Sequence, residues 1–493
     1  MVHQKKGGLT VFSPILDRFS RIPTKSVLFA TSFTAVLCWL AVCMISRNPG
    51  THALPQVFFC AFVMLGCALI VLARFHREHQ RIPLGWIFTT AIILRLISLT
   101  GEPLFEDDYF RYLWDGYQTV ATKDPYSLAP EVFFDRDVPE QFEPVLSLIN
   151  YPEIATVYGP VTQWFFAAGY LLDPASVRPL QILSAIADLL IMLILVKLGA
   201  RNALLLYAWS PLMLKEFSLT AHPDIFAILF MLASVYAMHS RKVVLAGIAL
   251  ALAFGAKVFA ILAIPFLLTS GWQQDLSIKG LMRTSCILAA TFLATLGAIT
   301  LWYGTAAIWI PEGLRAMADN WLFNAPLYLL LLSHFEFNTI KLILLSAFTV
   351  YLVVVFIRRI VKDHVNTRST DVVIDIASDV ALKGIKTTEW CNSNSAFRGD
   401  WLYLLFLLSL PVINPWYVAW IIPFATLYPT GWAWAASLMV LLSYWYGSYV
   451  AASGGDALQL PVAVIAIEYA VVIGVAAIAW GLGRYLTSNN PDQ

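Results

Sequence analysis

VLFATSFTAVLCWLAVCMI, residues 27–45, carries no charged side chain and is long enough to cross a bilayer as a helix. It is too long for the apolar core of a signal peptide and no small-residue cleavage site stands out, so it is expected to stay as a first membrane span. Reading outward, the whole chain repeats the pattern. Of its 493 residues, 59% are hydrophobic and only 13% are charged, with a mean hydropathy of +0.71. A soluble domain carries roughly twice that share of charge. Further apolar runs fall at 54–74, 84–100, 180–198, 202–215, 222–239, 243–254, 257–268, 281–303, 339–357, 401–413, 416–428, 431–450 and 461–483. The fold class is therefore all-α: a polytopic transmembrane helical bundle of about 12–14 spans.

Several of these runs are short. Such segments can sit at membrane depth only where they pack on protein or line a wet cavity. Lysine and arginine in short loops set the orientation. Lys5, Lys6, Arg18, Arg21 and Lys25 place the N-terminus in the cytoplasm, and Arg74, Arg77 and Arg81 mark the second connection as cytoplasmic. The third span then ends outside. Residues 158–172 are apolar enough to span but would invert everything downstream, so a re-entrant or interfacial helix is expected there. The run 243–268 is split at Gly255-Ala256-Lys257, because a lysine at mid-membrane is costly unless it faces a cavity. The expected organisation is a three-span unit at 1–100, an extracytoplasmic catalytic loop at 101–157, a core bundle at 158–357, a polar cytoplasmic insertion at 358–400 and a C-terminal bundle at 401–493. The six cysteines show no metal-ligand spacing and are read as packing residues. A net charge of +1 argues against a nucleic-acid partner.

The chemistry concentrates in the first outside loop, EDDYFRYLWDGYQTVATKDPYSLAP, residues 106–130. Asp108, Arg111, Tyr112 and Asp115 share one helical face. Phe110, Leu113 and Trp114 give the other side apolar character, which suits an amphipathic helix lying in the interface plane. Two adjacent carboxylates, Asp107 and Asp108, suit general-base work, one taking a proton while the other orients a hydroxyl or holds a divalent cation. Glu106 adds a third acid. The competing reading is that these acids merely cap the helix.

The run DDYFRYLWDG with a downstream DPYSLAP resembles the first outside loop of GT-C membrane glycosyltransferases. The nearest group is the polyprenyl-phosphate-mannose-dependent mannosyltransferases and their uncharacterised relatives. Tyr158-Gly159-Pro160 stands where that family often has Tyr-Pro-Pro. WSPLMLKEFSLTAHPD, residues 209–224, is similar to its second outside loop, and Asn414-Pro415-Trp416-Tyr417 to its late Pro-Trp-Tyr motif. The resemblance implies a hexose, most commonly mannose, moved from a polyprenyl-phosphate donor to a lipid or glycan acceptor on the outer face of a bacterial plasma membrane.

On that footing Asp108 and Asp107 are the catalytic candidates. Lys257, Arg111 and Arg95 are candidates for the donor phosphate. Glu106, Tyr112, Asp115, Tyr126, Tyr158, Lys215, Glu216, His222, Asp224, Trp416 and Tyr417 are candidates for substrate binding. No protein-bound metal is assigned, although magnesium or manganese is a candidate cofactor for the acid cluster. Each basic or aromatic candidate also has a plain reading: snorkelling for Lys257, a pair with a neighbouring span for Arg95, an aromatic belt for Trp416 and Tyr417.

A transporter or flippase is the alternative, with Arg95, Asp188, Lys257 and Glu468 as an intramembrane path. The missing internal repeat and the extramembrane position of the strongest cluster favour the enzyme. A polysaccharide polymerase or ligase would favour basic outside loops, and this one is acidic.

Overall fold

The computed structural model describes residues 22–274, 277–303, 321–370, 398–445 and 460–489. Lys5, Lys6, Arg18, Arg21, Trp309, Cys391 and most of the polar insertion expected at 358–400 lie outside the described residues. So does the end of the span expected at 431–450.

Among the described residues the chain is helical, without strands. Six helices are long and apolar enough to cross a membrane: Thr24–Arg47, Ala53–Arg77, Arg178–Lys197, Ile278–Tyr303, Phe337–Arg358 and Val462–Gly481. A seventh span results if Leu204–Leu219 and Asp224–His239, bent by 115°, are one broken segment. The expected count of about 12–14 spans took in the short runs as well. The remaining apolar runs are helices of 10–17 residues, or about 15–25 Å at 1.5 Å per residue, short of a bilayer core. Hydropathy registered them as spans because it measures composition over a window, whereas tertiary packing lets shorter, interrupted helices satisfy their backbone against neighbouring protein.

Burial separates inner from outer helices. Arg178–Lys197 has 56% of its apolar window buried, against 11% for Ile278–Tyr303, Phe337–Arg358 and Val462–Gly481. The inner helix packs against Asp224–His239, which in turn pairs with Val243–Ala256. One continuous apolar core runs from Leu28 to Ile465 through this interior.

Local chemistry fixes the ends. Gly199 takes a left-handed φ of 104°, and the N–H groups of Gly199 and Ala200 close Arg178–Lys197 onto Val196 O (3.1 Å) and Leu195 O (2.9 Å). Prolines at the first helical positions open Pro160–Leu172 and Pro415–Val418. Val243–Ala256 ends where expected: Lys257 is extended (φ −151°, ψ 129°) before a 3₁₀ turn over Val258–Ala263.

A second, smaller core gathers the loop segment. Tyr112, Leu113 and Trp114 of the helix Tyr109–Ala121 pack with Phe142, Val145, Leu146 and Ile149, and with Phe166 of Pro160–Leu172. Pro160–Leu172 has 13 residues, about 20 Å, which is too short to cross. It lies against Tyr109–Ala121 closely enough that a Cβ on Gly116 would sit 2.4 Å from Phe166 O. Only glycine permits that approach.

Candidate active site

The helix Tyr109–Ala121 starts directly after Asp108, yet the Asp108 side chain makes no capping hydrogen bond. Asp108 thus occupies the N-cap position without using its side chain as a cap. The carboxylate instead faces a cavity of about 730 Å³, within the range of small-ligand sites. Glu106, Asp107, Asp108, Arg111 and Tyr112 form one wall. His222, Asp224 and Lys257 form another, and Asn414, Trp416, Tyr417 and Tyr444 a third. Residues far apart in sequence thus share one space.

Burial pushes Asp108 up to about 6; neighbouring Asp107 adds to the rise, while Lys257, Arg111 and Lys215 oppose it. Burial also holds Glu106 well above the usual carboxylate range, with Lys215 opposing. Asp107 is exposed and accepts a hydrogen bond from Asn150 Nδ2 at 2.5 Å. Partial desolvation by its neighbours raises it too, and its hydrogen bonds pull the other way.

The expected helical face is present, but its members divide the work. Arg111 lines the cavity while its Nε donates to Asp115 Oδ1 at 3.1 Å and its Nη2 to Ile154 O. Asp115 does not reach the cavity. It is buried (1% exposed) and accepts from Thr156 Oγ1 and from Gln163 Nε2 at 3.0 Å. It ties the loop helix to the segment that follows. Burial raises its carboxyl, and Arg111 is the largest opposing influence. Tyr112 points inward, its hydroxyl 2.8 Å from His222 Nδ1. Tyr158 lines the cavity, and Tyr126 sits behind it, donating to Tyr158 O at 3.2 Å.

Lys257 emerges from the helix break. Its Nζ donates to Asp224 Oδ2 at 3.0 Å and lies 4.5 Å above the Tyr417 ring. Asp224 also accepts from Trp420 Nε1 at 2.9 Å. Trp416 stacks on His222 with ring centroids 4.0 Å apart. Gly159 holds this break against the loop: a Cβ there would meet Gly255 O at 2.3 Å, and Thr162 Oγ1 donates to Ala256 O at 3.0 Å. Glycine in place of the resembling family's proline thus has a steric reason.

Besides Asp115 and Tyr126, three further candidates do not line the cavity. Arg95 is 2% exposed and bonded through Nε (3.0 Å) and Nη2 (2.7 Å) to Asp188 Oδ2. Ala208 O accepts from Arg95 Nη1 at 2.6 Å, and Tyr207 OH donates to Asp188 Oδ1 at 2.6 Å. This is a saturated interhelical pair, away from the cavity. Lys215 and Glu216 are buried behind the wall, in a π-helical turn over Leu214–Leu219. Such turns insert an extra residue into a helix and redirect side chains.

Asn150, Trp321, Asn414 and Tyr444 also line the cavity and were not among the site candidates. Asn414 had a signal in its Asn-Pro-Trp-Tyr motif, and Trp321 stood in a polar stretch. Tyr444 sits in an apolar run that reads as an ordinary span, so nothing local marks it. Of the eight described non-glycine residues with positive φ, four fall at the site and four, His79, Lys123, Ala175 and Arg241, lie elsewhere. Phe105 (φ 64°), Tyr151 (φ 52°), Ala221 (φ 62°) and Asn324 (φ 48°) are left-handed non-glycine residues in or adjoining the cavity wall. For Phe105, Tyr151 and Ala221 that conformation costs on the order of 1–3 kcal/mol, whereas asparagine adopts it readily. Among the described residues no three His, Cys, Asp or Glu side chains are arranged to hold a metal ion.

An all-α, multi-pass membrane protein whose acidic loop closes over a polar and aromatic cavity is the class that the fold and site define. Residues 27–272 match the family described as Alpha-(1->6)-mannopyranosyltransferase, N-terminal domain. The chain belongs to this family of GT-C mannosyltransferases. No curated protein and no solved structure matches it.

Proposed function

We propose that the protein transfers mannose from a polyprenyl-phosphate donor to a hydroxyl of a lipid or glycan acceptor, on the extracytoplasmic face of a bacterial plasma membrane, with inversion. The observation that carries this reading is the Asp108 carboxylate: uncapped, facing the cavity, and raised to about 6. Such a group is ionised at neutral pH yet basic enough to accept a proton as the acceptor oxygen attacks. That oxygen forms the new bond at the anomeric carbon opposite the phosphate. The bond from that carbon to the phosphate oxygen breaks, and the polyprenyl phosphate leaves with the electron pair.

Lys257 stands ready for the leaving phosphate. Its ammonium is only part-neutralised by Asp224, which it shares with Trp420, and it lines the same cavity as Asp108. Arg111 lines it too, anchored from behind by Asp115. Both cations can stabilise charge that develops in the transition state. Trp416, Tyr417 and Tyr158 supply faces on which a sugar or an isoprenoid can pack. Asp107, exposed and bonded to Asn150, orients the acceptor.

The test is transfer from a panel of radiolabelled polyprenyl-phosphate sugars in membranes, with and without chelator. Transfer from the mannose donor, lost in Asp108→Asn, is expected. Full activity in both Asp108→Asn and Asp107→Asn would sink the base assignment. Transfer from a nucleotide sugar but from no lipid donor would sink the donor assignment.

A further inference from the structure

Lys215 and Glu216 are consecutive, charged, and buried at 1% and 0% exposure. Neither lines the cavity, yet both bond to side chains that do. Tyr444 OH donates to Glu216 Oε1 at 2.8 Å and accepts from Lys215 Nζ at 2.5 Å. Lys215 Nζ also reaches Glu216 Oε2 at 3.2 Å and lies 3.8 Å over the Tyr444 ring. The π-turn lets one backbone present both charges to the same phenol. Its exit delivers a second wall residue: His222 N–H donates to Glu216 O at 2.9 Å, after the left-handed Ala221 (φ 62°). His222 Nε2 lies 3.4 Å from Glu216 Oε2. On the cavity side the Tyr444 ring packs on Phe105, centroids 5.4 Å apart, and Phe105 directly precedes Glu106.

We propose that the buried Lys215–Glu216 pair is a positioning unit. It fixes Tyr444 and His222 in the cavity wall, holds the strained Phe105 that aims the acid cluster, and sets the electrostatic field there without touching substrate. Taking two charges out of water costs several kcal/mol per ion, and pairing alone seldom repays it. A function at the wall gives the pair a reason to be there. Asp108 is faced by Glu106, Asp107 and Arg111 from its own segment, by Lys257 from the helix break and by Lys215 from the π-turn. The phenols of Tyr112, Tyr158 and Tyr417 face it as well. Lys215 is the member of this set that acts from behind the wall.

Variants of the full chain test the unit. Tyr444→Phe keeps the ring and leaves Lys215 paired with Glu216. It is expected to lower kcat by about tenfold with KM little changed, as misplacement of a reacting group does. Lys215→Met combined with Glu216→Gln removes both charges together, leaving no lone ion. It is expected to lower kcat similarly. The field is read in Lys215→Gln, which removes the cation and keeps Glu216: the acid limb of the kcat/KM profile moves to higher pH, because Lys215 no longer favours ionised Asp108. A merely structural pair would leave that limb in place.

Parental kcat in folded Tyr444→Phe overturns the positioning claim, and an unmoved limb in Lys215→Gln overturns the electrostatic one. If Lys215→Gln does not fold, the shift is read instead in Glu216→Gln, where loss of the anion moves the limb to lower pH and an unmoved limb overturns the claim equally. Only the pH arm rests on Asp108 as base. A fully active Asp108→Asn would fell that reading, and the kcat of Tyr444→Phe would still decide the positioning claim.

Discussion

Asp107 and Asp108 are neighbours in sequence, yet the structure separates their roles. Asp108 is raised to about 6 by burial and by Asp107, whereas Asp107 is exposed and held by Asn150. Asp108→Asn is expected to reduce transfer by roughly 10²–10⁴-fold, the usual worth of a general base. A base works ionised, so kcat/KM should fall as pH drops through about 6. Asp107→Asn removes the neighbouring charge that favours protonated Asp108. It should keep substantial activity and move that limb to lower pH, and a pH series on both variants reads the outcome. If Asp107→Asn is inactive and Asp108→Asn active, the roles are exchanged. The sequence showed the acid pair and the spacing of Arg111 and Asp115, because both are local. It could not show which carboxylate is the less exposed, since that depends on segments packed over the loop.

Two close approaches between elements hold the site together. Gly116 lets the loop helix lie on Pro160–Leu172, and Gly159 lets the chain lie on Gly255 where Val243–Ala256 ends. Gly159→Ala would force the loop and the Lys257 break apart, against backbone that has no flexible end to yield. It should weaken donor binding more than it lowers melting temperature, measurable as KM for the lipid donor beside thermal unfolding in detergent. An unchanged donor KM would show that the contact does not position Lys257. The break at Lys257 was legible because a charge interrupts an apolar run. The bend between Leu204–Leu219 and Asp224–His239 was read as two separate spans, since a π-turn has no hydropathy signature.

At the scale of the molecule, the cavity is built from both halves of the chain. Residues 27–272 carry the family match, but Trp321, Asn414, Trp416, Tyr417 and Tyr444 complete the walls. A chain ending after residue 272 is expected to be inactive even when it inserts, and co-expression of the remainder should restore transfer. Inside the bundle, Arg95→Met would strand buried Asp188 and cost roughly 3–5 kcal/mol. Thermal unfolding should reveal that loss, while KM in the surviving folded protein stays put because Arg95 does not line the cavity.

The sequence by itself determined the all-α membrane class and the acidic loop, and through family motifs the kind of chemistry. Hydropathy, helical spacing and short motifs are properties of neighbouring residues. Tertiary structure alone decided that Asp108 faces a cavity, that Arg95 belongs to Asp188, and that Lys215 and Glu216 stand behind Tyr444, 228 residues from Glu216 in the chain. Inside a bilayer-sized bundle, a charge goes wherever packing supplies a partner. That partner comes from another helix, and no local pattern names it.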